Sequence, residues 1–325
     1  MHRATGPSNL GLLFCCLSLL MLAGCATSST LTPAANVPAQ PPPAAEARFE
    51  LPSPLGPVSA PGQVEELVPG GAIDWSGKTV RARGTGVLDP GNSDRDQARL
   101  LAERAAVVVA QRNLTEIIKG VRVDSDTRVK DLMAERDTAY RRVEDIVKAA
   151  RRRVPARHDS LGGTVEVEIE CDLYGEAGVE NALTLLPAAG PPPGGVNADS
   201  LSNQARAFLS RHSGLILDGA GAGLKPALLP RIYGAGGSLL FDPREYLLYP
   251  GAPGTSAVQF VGELDRILAR PEFARPPLVI RVKEVRGKFG TDIVLDQGDA
   301  DKLLGMRDGL ELLMNAGRIL VRPSL

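Results

Sequence analysis

Four cysteines and three histidines in 325 residues leave little from which to build a metal cage or a disulfide framework. Cys15 and Cys16 lie inside an apolar segment, Cys25 ends it, and Cys171 stands alone in the remaining chain. Once that first segment is removed, no structural disulfide can form within one mature chain. His2, His158 and His212 are too scattered to share a metal or to supply the base of a nucleophilic pair. One Trp and five Tyr provide few platforms for base stacking. The 37 basic and 38 acidic side chains nearly cancel, which removes the electrostatic footprint of a nucleic-acid binder. The hydrolase patterns G-x-S-x-G and H-E-x-x-H are missing too.

What is present begins at the N-terminus. Residues 1–3 carry the positive charge, and an apolar run of about 12 residues follows, from Gly11 to Leu22. A membrane-spanning helix needs about 20 such residues, so the run reads as the core of a signal peptide covering 1–24. It closes on Leu22-Ala23-Gly24-Cys25, which resembles the bacterial lipobox. That resemblance implies cleavage between Gly24 and Cys25 and acylation of the Cys25 thiol. An ordinary secretory signal with a coincidental Cys is the alternative. Ala26, where inner-membrane retention would use Asp, implies the outer membrane, with the protein facing the periplasm. Two or three acyl chains, at about 0.8 kcal/mol per buried methylene, make a lasting anchor.

Residues 25–71 turn to Pro, Ala, Ser and Thr, including Pro41-Pro42-Pro43. Pro at this density favours extended, unpacked backbone, and the stretch reads as a tether reaching up to roughly 100 Å. Two small α+β domains are expected beyond it, 72–175 and 201–325, each with helices on a mainly antiparallel sheet. The linker 176–200 between them holds the break Leu186-Pro-Ala-Ala-Gly-Pro-Pro-Pro-Gly-Gly195.

The first domain is organised around a helix predicted over 94–120. Asp94 and Gln97 have capping-box spacing, and Lys119 with Gly120 supplies a cation and a stop. Its apolar stripe is read as Leu101, Ala105, Val108 and Val109 beside Val107, Leu114, Ile117 and Ile118. Alternation predicts strands over 79–86 and 164–173; in the latter Val165, Val167, Ile169, Cys171 and Leu173 point inward, which makes Cys171 a core residue. A second amphipathic helix spans Leu132 to Ala150. The basic run Arg151-Arg152-Arg153 is read as a charged sheet face, with Arg153 opposite Glu168 and Arg151 opposite Glu170.

Asp74-Trp75-Ser76-Gly77, Thr79-Val80-Arg81-Ala82, Glu103-Arg104-Ala105-Ala106, Gly163-Thr164-Val165-Glu166-Val167 and Leu173-Tyr174-Gly175 resemble, in that order, the LPP-twenty family of bacterial lipoproteins. The resemblance covers about 100 residues. It implies an α+β domain similar to the N-terminal domain of flagellar assembly protein T, and it brings no catalytic residues.

In the second domain a helix over 201–211 leads into a buried strand over 214–218. Gly219-Ala-Gly-Ala-Gly223-Leu-Lys225-Pro226 lacks both the Gly-Lys-Ser/Thr of a phosphate loop and the third Gly of a dinucleotide loop, so it is read as a plain connection. A hairpin is expected over 227–242, a helix over 256–269, a strand pair over 278–285 and 291–295, then one helix and a final strand over 318–322. Asp292, Asp296, Asp299 and Asp301 do not follow the EF-hand order, and Asp299 is assigned to helix capping. No cofactor or metal is expected.

Three functional classes compete. The first is a non-catalytic, lipid-anchored envelope module that binds other envelope proteins in a flagellum-associated or other periplasmic assembly. The second is a lipoprotein that binds a small molecule or glycan fragment, and the third is a periplasmic hydrolase. The missing motifs disfavour the third, and the first is expected.

Overall fold

The computed structural model of the chain describes residues 63–159, 162–183, 200–247, 256 and 258–324. The signal segment, Gly24, Cys25, the tether before Gln63 and the 186–195 break lie outside the described residues. In chain order the first half runs β1 (Glu65–Val68), β2 (Gly71–Asp74), β3 (Thr79–Val87), α1 (Arg95–Gly120), α2 (Val129–Glu135), α3 (Asp137–Ala149), β4 (Arg151–Arg152), β5 (Arg157–Asp159), β6 (Thr164–Asp172) and α4 (Val179–Leu183). The six strands form one antiparallel sheet ordered β1-β2-β3-β6-β4, with β5 also on β6. Folding therefore starts earlier than proline spacing suggested. Val64 is buried and β1 pairs with β2, although Pro61 and Pro69 bracket it. α4, with Val179 and Ala182 buried, likewise falls inside the stretch read as linker.

The expected strand alternation is present, and Val165, Val167, Ile169, Cys171 and Leu173 are all buried. Arg151 pairs with Glu170, and Arg153 N donates to the Glu168 carbonyl, so the charged register is also as read. α1 begins where expected, with Asp94 Oδ1 accepting from Asp96 N and Gln97 N. The reciprocal half of the capping box is missing because Gln97 Oε1 accepts from Asn92 instead.

The orientation of α1 is the main correction. Its buried face is Ala98, Ala102, Ala106 and Ala110, followed by Leu114, Ile117 and Ile118, whereas Leu101, Val108 and Val109 are exposed. The reason lies in β3. Gly84 and Gly86 let the helix backbone settle onto the strand, and only methyl groups fit in that gap. The second amphipathic stretch is two helices broken at Arg136, and Tyr140 is exposed.

The second half runs α5 (Asn203–Arg211), β7 (Leu215–Asp218), β8 (Ile232–Gly234), β9 (Leu239–Phe241), α6 (Arg244–Leu247), β10 (Gln259–Phe260), α7 (Leu264–Leu268), β11 (Leu278–Arg281), β12 (Glu284–Arg286), β13 (Asp292–Leu295), α8 (Gln297–Leu304), α9 (Arg307–Asn315) and β14 (Ile319–Arg322). The α+β class holds, with two sheets in place of one. The sheet β10-β14-β7-β11 is parallel throughout. The sheet β12-β13-β8-β9 has parallel β13 and β8 flanked by antiparallel partners. The helix expected over 256–269 is confined to α7; before it Gln259–Phe260 form β10, with Val258, Phe260 and Val261 all buried. The final helix is split at Gly305; the strand pair expected around Arg286 forms between β12 and β13, while the first part of the expected strand over 278–285 is a separate strand, β11, paired with β7 in the other sheet.

Both halves belong to one compact unit. They are joined by loop 121–128 and by the Asp74-Trp75-Ser76-Gly77 turn. Leu228 N donates to the Arg122 carbonyl at 2.9 Å, Leu229 N to that of Val123 at 2.8 Å, and Phe289 N to that of Ser125 at 2.9 Å. Ser76 Oγ donates to the Phe260 carbonyl at 2.8 Å, and the Trp75 ring meets Phe260 edge-on at 5.7 Å.

Candidate functional site

The solvent-facing side of the antiparallel sheet carries the densest charge. Alternation sends Arg81, Arg83, Glu168, Glu170 and Asp172 to the side opposite α1, and the short strand β4 adds Arg151 beside them. These charges neutralise one another. Glu168 accepts from Arg83 at 2.9 Å and from Arg153 at 2.8 Å, while Arg151 binds Glu170 at 3.1 Å and Asp172 at 2.8 Å. Burial pushes the Glu168 carboxyl up, but the Arg153 and Arg83 guanidiniums hold it below the usual range, and hydrogen bonding from Arg151 does the same for Asp172. Carboxylates held ionised in this way are poor proton donors. A recess of about 400 Å³ opens here, lined by Glu65, Leu67, Arg81, Arg83 and Glu168, and the guanidiniums in its wall already have partners.

The glycine loop after β7 is also committed internally. Ala220 N donates to Asp218 Oδ1 at 3.1 Å, Ala222 N to the Gly219 carbonyl at 3.0 Å, and Gly223 N to Ser324 Oγ at 2.9 Å. Gly221 and Gly223 have positive φ, which is the physical need for glycine there. The loop fastens the chain's last strand to β7.

The four aspartates do not converge. Asp292 is buried against Arg231 at 2.9 Å, Asp299 pairs with Lys302 at 2.8 Å, and Asp301 accepts from Gln297 at 2.7 Å. Asp299 is not the cap it was assigned to be. Asp296 holds the N-cap position of α8, without a side-chain cap bond, and Asp299 sits in the first turn. Among the described residues no three His, Cys, Asp or Glu form a metal-holding group.

Three buried ionisable groups, Cys171, Tyr174 and Glu180, have titrations pushed well up by burial. Burial pushes the Cys171 thiol up to about 12, which keeps it protonated and unreactive. Burial pushes Glu180 up to about 7, against the opposing charge of Lys78. Sequence reasoning missed Glu180, and its one signal is a carboxylate next to Val179 and two before Ala182, all buried. Because the folded value lies above the ordinary 4.5, the native state keeps the proton longer than the unfolded chain. This contribution to stability is complete below about pH 4.5 and is lost as pH rises to about 7, a change of about 3 kcal/mol. Glu180→Gln should therefore flatten the pH dependence. Urea unfolding at pH 8 should show the variant more stable than its parent and at pH 5 the two alike; equal midpoints at pH 8 would contradict the shift.

One surface is left with unused character, the outward side of α1. Leu100, Leu101 and Val108 are 60%, 51% and 57% exposed, with Val109 beside them. Arg104 and Arg112 are exposed on the same side and make no ion pair among the described residues. Of the α1 carboxylates close to them in sequence, Glu103 is bound by Arg152, and Glu116, four residues after Arg112, is bound by Lys119 at 2.8 Å. Leu101, Val108 and Val109 were read from the sequence as part of a core stripe.

Compared with known families, residues 214–322 match the family defined on the second domain of Treponema pallidum Tp0624. The match runs from the start of β7 to the end of β14, so both sheets of the second half lie inside it. A search of curated proteins finds no match to the chain.

Proposed function

We propose that the chain is a lipid-anchored, non-catalytic envelope protein that works as a structural or protein-binding module in a periplasmic or flagellum-associated assembly. One observation carries this reading: the ionisable side chains of the sheet face and of the joint are employed mechanically. Arg83-Glu168-Arg153 stiffens the sheet; Arg122, paired with Glu66, donates to the Pro226 carbonyl across the joint between the halves, and Arg231, paired with Asp292, donates across it to Ser125 Oγ; Glu180 lies buried within the first half. Charges consumed in this way build a rigid body suited to holding other bodies. A ligand-binding lipoprotein has weaker support, since the recess beside β1 is lined by guanidiniums already in ion pairs.

Cys25→Ala tests the anchor, with the chain expected to move from the membrane pellet to the soluble fraction. A variant that still pellets, or processing insensitive to globomycin, would count against acylation. In-cell crosslinking of the lipidated form tests the module, with specific envelope proteins expected in the adduct; their complete absence would end that part of the reading.

A further inference from the structure

We propose that the outward face of α1 is a docking surface for an acidic phospholipid bilayer, the second contact that holds this tethered body flat against its membrane. The inference rests on the lipid-anchored reading above and gives it an orientation. Leu100, Leu101, Val108 and Val109 project from a convex helix side, and Arg104 and Arg112 stand among them with no carboxylate free to answer them. An aliphatic stripe interleaved with guanidiniums has the chemistry of an interfacial helix, whose apolar side chains enter the acyl boundary while the cations meet headgroup phosphates. A second copy is a poor occupant, because two such faces would set Arg against Arg. The protein side of α1 is sealed by its alanines, so these aliphatic groups cannot turn inward without lifting the helix from β3.

The tether favours the bilayer over a soluble acidic partner. On the lipid-anchored reading, only the 38 residues 25–62 separate the anchor from the first described residue, so the bilayer is always present near the folded part at high effective concentration. A single acyl anchor holds a protein near a surface without orienting it. A basic, apolar face supplies orientation.

The test uses the lipidated chain carrying Val108→Cys labelled with an environment-sensitive fluorophore, reconstituted in vesicles of phosphatidylethanolamine and phosphatidylglycerol. Cys171 is buried, so labelling is confined to the new thiol. A blue-shifted, brightened probe is expected, and the shift should disappear in phosphatidylcholine vesicles. Arg104→Glu with Arg112→Glu should cut the docked fraction roughly tenfold or more. Both side chains are exposed, so the melting curve should stay unchanged. A probe that remains in water on the anionic vesicles overturns the proposal. So does one buried only by an added acidic protein, which would assign the face to that protein. Flotation of the same samples reports the anchor separately: a chain that fails to float has lost the lipidation reading, whereas one that floats with an unshifted probe has lost only the docking surface.

Discussion

Replacing Gly86 with Ala is expected to unfold the first half, and Gly84→Ala to do nearly the same. A Cβ on Gly86 would stand 1.9 Å from the Ala102 carbonyl oxygen, and one on Gly84 would stand 2.1 Å from that of Ala106 and 2.3 Å from Ala110 N. These obstacles are helix backbone, so no rotamer change relieves them. α1 would have to rise along its length and give up the burial of Leu114, Ile117 and Ile118 against the sheet. Burying each of those side chains contributes about 1.5–3 kcal/mol, so the cost should exceed about 4 kcal/mol, a large part of the usual stability of such a body. Trimming Ala106 to Gly in the Gly84→Ala background should not restore stability, because the clash is with its carbonyl. Gly120→Ala is the control: a Cβ there meets nothing within 4 Å, and the change should stay within about 1 kcal/mol. Urea unfolding followed by far-UV circular dichroism measures all four. Loss of less than about 1 kcal/mol in Gly86→Ala would mean that the helix does not sit this close.

The same contact explains what could and could not be read from the residues. The start of α1 was legible because the Asp94 cap acts locally, within one turn; its end falls at Gly120 as read, but Gly120 is still helical and Val121, not a left-handed glycine, holds the C-cap. Its facing was not legible, since a helix bearing Leu100, Leu101, Val108 and Val109 on one side would ordinarily bury them. The reason it buries alanine instead is held by Gly84 and Gly86, on another element. β6 was legible to the register of its ion pairs, because a period of two and the opposite charges of Arg151 and Glu170 specify one alignment. The parallel sheet was illegible for the reverse reason. β7 pairs with β11 and β14, some sixty and a hundred residues later in the chain, and its three apolar residues carry no mark of those partners. On the outward side of α1, the arginines and aliphatic residues were visible and their exposure was not.

The joint between the halves should fail most sharply at Arg122. Its guanidinium donates to Glu66 Oε1 at 3.1 Å and also to Oε2, its Nε donates to the Pro226 carbonyl at 2.7 Å, and it lies 5.8 Å from the Trp75 ring centre. One buried side chain thus links β1, the Trp75 turn and the second half. Burial would raise the Glu66 carboxyl, but the Arg122 guanidinium holds it lowered. Arg122→Ala removes the cation and leaves a half-buried carboxylate and a carbonyl without their donor. The expected cost is about 2–4 kcal/mol, less than for a fully buried pair because Glu66 keeps some solvent. Arg122→Lys should recover little, since an ammonium cannot make the fork to Glu66 and reach Pro226 together. Glu66→Gln combined with Arg122→Ala should cost much less than the sum of the single changes, because the stranded charge is gone. Gly287→Ala attacks the joint with no charge involved: at φ +80° its Cβ would meet the Ser125 Cβ at 2.1 Å, forcing loop 121–128 out of its seat. If the joint couples the halves as the geometry requires, the parent unfolds in one calorimetric transition and both Arg122→Ala and Gly287→Ala split it in two. A single transition retained in both variants would mean that the cohesion of the halves lies elsewhere, in the Ser76 and Trp75 contacts with Phe260.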